Sequence, residues 1–173
     1  MKAIVHIGTE KTGTSSIQRF LYQNQKTLKS AGFHFVQSAG TTNNRALPAY
    51  CISDDSYDEY LIEKGISTPE GREKFRRNFI AKFESELESL GSNIHTVIIS
   101  SEHFHSRLHT EDEMDNVHRL LSAYFDSIKI VCYIREQGAT CTSFYTTNLR
   151  AGGTKTFSEI IRLCTHRNKY YNY

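Results

Sequence analysis

The chain has 173 residues, with 21 Lys plus Arg against 19 Asp plus Glu, 38% hydrophobic and 12% aromatic residues, and only two prolines. This composition is that of a globular protein and excludes disordered, collagenous and low-complexity classes. A net charge of +2, with the basic residues spread along the chain, does not favour nucleic acid as a partner.

The length predicts a single domain, 1–173, able to bury roughly 70% of its unfolded surface. Cys51, Cys132, Cys141 and Cys164 lie far apart with no C-x-x-C pair, which favours a reducing compartment. No apolar run approaches the roughly 18 residues of a membrane span, and Met1–Val5 enter a strand with no leader pattern. The expected setting is cytoplasmic.

In chain order, Ala3–Ile7 is an apolar run ending at Gly8, the pattern of a buried strand. A Gly- and Thr-rich loop follows, then a helix from Thr14, with Ile17, Phe20, Leu21 and Leu28 on one face and Gly32 as its stop. Phe33–Val36 reads as a second strand. Residues 37–67 show no period and read as a long loop, either a functional flap or mobile, bordering an acceptor site.

Thr68-Pro69-Glu70 opens the clearest helix, whose stripe is Phe75, Phe79, Phe83, Leu87 and Leu90. Thr96–Ser100 is a third strand. Met114, Val117, Leu120, Leu121 and Tyr124 mark a helix, Ile128–Ile134 a fourth strand, and two helices close the chain, near 138–151 and from the Thr156/Glu159 capping box. No internal repeat is visible.

Strands alternating with amphipathic helices predict an α/β fold of three α/β/α layers around a mainly parallel sheet. Ligands of such sheets sit at the carboxyl ends of the strands, so the informative residues should follow Ile7, Ser100 and Ile134.

After the first strand comes Gly8-Thr9-Glu10-Lys11-Thr12-Gly13-Thr14-Ser15-Ser16. Its glycines have the G-x-x-x-x-G spacing that lets backbone N–H groups turn inward around a phosphate at a helix N-terminus. A nucleoside triphosphatase would follow the second glycine with Lys-Ser/Thr, whereas here Thr14-Ser15 stand there and the cation is Lys11, inside the loop. The bland alternative is a strand-to-helix turn.

The stretch His6–Gln18 resembles the 5′-phosphosulfate loop of sulfotransferases that use 3′-phosphoadenosine 5′-phosphosulfate (PAPS), with its Lys-Ser/Thr-Gly-Thr-Thr/Ser core. A second element of that family, an Arg leaving a strand with a Ser eight residues later, matches Arg135 and Ser143. The resemblance implies a P-loop nucleoside-kinase-like fold. It assigns Gly8, Thr9, Lys11, Thr12, Gly13, Thr14 and Ser15 to the nucleotide loop, with Thr14 and Ser15 on the 5′-phosphate and Lys11 on the bridging oxygen. Arg135 and Ser143 fall to the 3′-phosphate. Glu10 stands where many relatives have Pro. The residues themselves support the second pair, since an Arg at a strand end and a Ser early in the next helix can converge on one phosphate.

Transfer to a hydroxyl or amine needs a base, and the third strand delivers Ser101-Glu102-His103-Phe104-His105 at its carboxyl end. Relatives use either Glu or His in a comparable place; Glu102 comes first after the strand and His103 is the alternative. His105 and His109 read as a solvated helix face. No H-E-x-x-H or Cys pattern occurs, so no metal is expected, and PAPS-dependent transfer needs none.

Three readings stay open: a PAPS-dependent sulfotransferase releasing 3′,5′-adenosine bisphosphate and modifying a small-molecule or glycan acceptor, a P-loop nucleotide kinase or NTP-binding module, and a non-catalytic sulfotransferase-like domain. Relatives continue with another strand and an adenine-holding loop, whereas this sequence stops at Lys169-Tyr170-Tyr171-Asn172-Tyr173. The expectation is a domain short at its C-terminus, either a fragment, a shortened homologue or one completed by a homo-oligomer.

Overall fold

The structure is a computed structural model, and it describes residues 1–172. In chain order its elements are β1 (Lys2–His6), α1 (Thr14–Gln23), α2 (Gln25–Ser30), β2 (Phe33–Phe35), α3 (Ala46–Cys51), α4 (Glu59–Glu63), α5 (Pro69–Glu88), β3 (Thr96–Ser100), α6 (His103–Arg107), α7 (Glu111–Ser122), β4 (Ser127–Val131), α8 (Gln137–Arg150) and α9 (Phe157–Ile161). The four strands form one wholly parallel sheet in the order β2-β3-β1-β4, with Val5 opposite Ile99 on one side and Ile130 on the other. Every residue of β3 is buried, as a strand covered on both faces requires.

Alternation along the strands divides the core between the two faces. Val5, Val97 and Ile99 pack with Leu47, Phe83, Leu121 and Phe125 from the α3, α5 and α7 side. Ile98 and Phe35 pack with Leu21, Ile17 and Leu28 from the α1–α2 side. The Thr68 hydroxyl caps α5 through the Gly71 N–H at 3.1 Å, and reciprocal capping boxes start α7 at Thr110/Glu113 and α9 at Thr156/Glu159.

Four sequence expectations are corrected. Residues 37–67 are not a loose loop: they hold α3 and α4 and bury Leu47, Ala49, Cys51, Ile52 and Leu61. The helix from Thr14 breaks at Asn24, whose side chain donates to the Phe20 carbonyl at 2.8 Å. β4 stops at Val131, because its partner β1 gives way to the Gly8 loop, which the chain follows through Tyr133 N–H to Gly8 O (2.7 Å) and Thr9 N–H to Tyr133 O (2.9 Å). The tyrosines near the C-terminus, expected near the end of the last helix, are not on it: that helix ends at Ile161 and Tyr170 and Tyr171 lie in turns, while Tyr173 falls outside the described residues. Among the described residues no helix is long and apolar enough to cross a membrane.

Candidate functional site

The loop between β1 and α1 turns through three left-handed residues, Gly8 (φ 103°), Lys11 (φ 66°) and Gly13 (φ 88°). At Gly8 a Cβ would come within 3.0 Å of Glu102 Cα and Cβ, so glycine lets the loop lie directly against the end of β3. Gly13 is the N-cap of α1, and no side chain caps that helix, leaving its first N–H groups and the positive end of its dipole directed at the loop. Thr12 closes the turn from within, its hydroxyl donating to the Thr9 carbonyl at 2.6 Å.

A polar cavity of about 440 Å³ opens at the carboxyl ends of β1 and β3 and the N-terminal part of α8. Lys11, Gly13, Thr14, Ser15, Glu102, His103, Arg135 and Ser143 line it, together with Glu10 and Arg107. The residues singled out after the first, third and fourth strands thus meet in one place. Three others do not line it. Thr9 is buried and tied to Tyr133, while Gly8 and Thr12 shape the loop from behind.

Lys11 reaches across to α8, where Nζ donates to Thr147 Oγ1 at 2.6 Å and lies 5.9 Å from the Phe144 ring centroid. Thr147 Oγ1 in turn donates to the Ser143 carbonyl at 3.0 Å. Arg135 donates to the Lys11 carbonyl at 3.0 Å, so the two cations are held by one local network. Lys11, Arg107 and Arg135 give the lining three cations against the carboxylates of Glu10 and Glu102, and Arg107 spans Glu10 (3.8 Å) and Glu59 (3.2 Å).

Glu102 is the N-cap residue of α6, yet its side chain caps nothing. Instead Oε2 accepts from Gln18 Nε2 at 2.7 Å and Asn43 Nδ2 at 2.9 Å. His103 Nδ1 lies 3.4 Å from Ser106 Oγ. Burial, with the guanidiniums of Arg45 and Arg107, holds the His103 imidazole below its ordinary value against the opposing pull of Glu102 and Glu10. Beneath the loop, His6 is buried with Nδ1 2.7 Å from Ser100 Oγ, and burial lowers its pKa as well.

No protein-family model, curated protein or solved structure matches the chain. What the site can do must be read from its own residues. Lys11 and Arg135, a helix N-terminus without a side-chain cap and several hydroxyls suit a ligand with separated anionic groups. An oriented carboxylate and a neutral imidazole on the adjoining wall suit removal of a proton. Among the described residues no group of three or more His, Cys, Asp or Glu side chains is placed to hold a metal.

Gln18, Asn43, Arg107, Glu10 and Thr147 complete the site, and sequence reasoning did not assign them to it. Two carried a signal. Gln18 is a polar residue one turn after Thr14 on the buried face of α1, and Thr147 is one turn after Ser143 on α8.

Proposed function

We propose that the chain is a PAPS-dependent sulfotransferase with a P-loop nucleoside-kinase-like fold, acting on a hydroxyl or amine acceptor. One observation carries the reading: the Lys11 loop, the Arg135/Ser143 pair and Glu102/His103 line a single cavity at the carboxyl ends of the parallel strands. PAPS supplies an activated sulfuryl group. In the reaction a bond forms from the acceptor oxygen or nitrogen to sulfur, and the bond from sulfur to the bridging phosphate oxygen breaks.

The loop N–H groups, with Thr14 and Ser15, hold the 5′ end of the nucleotide, and Arg135 with Ser143 holds the 3′-phosphate. Lys11 neutralises the charge that develops on the leaving oxygen. Glu102 takes the acceptor proton, with His103 as the alternative base. The wide sequence spacing of the four cysteines, with no C-x-x-C pair, supports a cytoplasmic setting.

The experiment is turnover of PAPS against a panel of hydroxyl and amine acceptors, read as release of 3′,5′-adenosine bisphosphate. Wild type should release it, and a folded Lys11→Ala protein should not, because Lys11 lies in the loop and outside the core. Wild-type turnover by folded Lys11→Ala would reject the assignment.

A further inference from the structure

A second cavity, of about 380 Å³, lies between α4, α5 and the segment after β2. Among the described residues its walls carry Lys64, Lys74 and Lys82 and no carboxylate. Lys74, Asn78 and Lys82 recur every fourth residue of α5 and so share one helix face. Lys64 is the C-cap of α4, with Nζ 4.9 Å from the Tyr60 ring centroid.

Among the described residues none of these three ammonium groups is in an ion pair. Two carboxylates on the neighbouring elements are already engaged. Asp58 pairs with Arg45, and Glu86 takes His34 Nε2 and the backbone N–H groups of Gln37 and Ser38.

Tyr60, Phe75 and Phe79 line it beside Ala46 and Ile66. Phe75 and Phe79 stack with centroids 6.4 Å apart, and Tyr60 stands edge-on to Phe75 at 6.2 Å. Three like charges gathered around an aromatic depression repel one another, and an anion seated among them removes that repulsion. The rings offer apolar area and offset or edge contacts to a flat partner.

We propose that this cavity is a binding site for a small aromatic dianion, its ring against Tyr60 and Phe75 and its negative groups on Lys64, Lys74 and Lys82. The proposal does not depend on the sulfotransferase reading. The two cavities are nevertheless neighbours through α4: Glu59 pairs with Arg107 on the wall of the candidate site, while Tyr60 carries the Arg45 guanidinium 5.2 Å from its ring centroid.

The test is an NMR titration of the full ¹⁵N-labelled chain with naphthalene-1,5-disulfonate, with inorganic sulfate as the ringless dianion. Saturable shifts centred on amides of residues 60–82 are expected for the aryl probe, with sulfate weaker by at least about tenfold. Combining Lys64→Gln, Lys74→Gln and Lys82→Gln should weaken the aryl probe by at least about tenfold without disturbing the rest of the spectrum. Tyr60→Leu, which keeps the charges, should weaken it as well. No saturable shift, shifts centred elsewhere, equal binding of sulfate, or undiminished affinity in the lysine variant would each overturn the proposal.

Discussion

Glu102 and His103 are neighbours in sequence and differ in how they are held. Two amide N–H groups converge on Glu102 Oε2 from different elements, Gln18 on α1 and Asn43 before α3, which fixes the carboxylate in the cavity wall. Among the described residues the His103 ring has one hydrogen-bond contact, a long one to Ser106 Oγ, and its lowered pKa leaves it neutral at pH 7. Orientation therefore favours Glu102 as the base. Glu102→Gln should cut PAPS turnover by about 10²-fold or more, the loss expected of a missing base, and His103→Ala should cost less than about tenfold. The opposite ranking in steady-state rates would exchange the roles. Lys11 and Thr14 were legible because they share a short contiguous pattern after β1, and Arg135 because of its spacing to Ser143, although β4 ends four residues before it. Gln18, Asn43 and Arg107 were not, because packing of α1, α6 and the segment before α3 brings them to Glu102 or the cavity.

At the scale of elements, the three longer strands and α5 were legible because apolar runs and a five-position stripe exceed the noise of a single turn. Residues 37–67 were not. α3 and α4 are only six and five residues long, too short to show a helical period, and their polar punctuation serves as structural glue. Asn44 donates to the Val36 and Gly40 carbonyls and accepts from Ser100 N–H, while Asp58 caps α4 through Leu61 N–H and pairs with Arg45. Pro48 sits in the first turn of α3, where a missing N–H costs nothing. A core role has a measurable consequence. Leu47 is fully buried, so Leu47→Ala should lower unfolding free energy by about 2–5 kcal/mol in denaturant titration. A change within about 0.5 kcal/mol, as for an exposed flap, would contradict it.

Over the whole molecule, histidines set the acid limit: His6 is buried, His103 and His105, the latter expected on a solvated face, are half-buried, and His109 is exposed. Burial holds His6, His103, His105 and His109 below their ordinary 6.5. The unfolded chain therefore binds protons that the folded chain refuses, and stability rises with pH through this range. It should be complete above about pH 7.5 and fall as pH drops below 6.5. Glu86 and Glu113 act in the same direction at lower pH. Burial pulls both carboxyls up, but hydrogen bonds from His34, Gln37 and Ser38, and from His109, Ser53, Thr110 and Ser56, hold them below 4.5. Thermal unfolding should shift downward between about pH 7.5 and 5.5; an unchanged or higher midpoint at the lower pH would show that the fold does not hold these imidazoles neutral.

The central claim is that one cavity takes a nucleotide carrying both 5′- and 3′-phosphates, and a thermal-shift comparison of nucleotides tests it without any knowledge of the acceptor. The desulfated product, 3′,5′-adenosine bisphosphate, should engage the Lys11 loop and the Arg135/Ser143 pair together, whereas 5′-AMP lacks the group that the second pair would hold. At about 100 times its Kd the bisphosphate should stabilise by about 2.7 kcal/mol, which for a domain of this size is a rise of about 5–11 °C in Tm. Arg135→Ala should remove most of its advantage over 5′-AMP, and magnesium-ATP should do little. Stabilisation by magnesium-ATP with none from the bisphosphate would contradict the account.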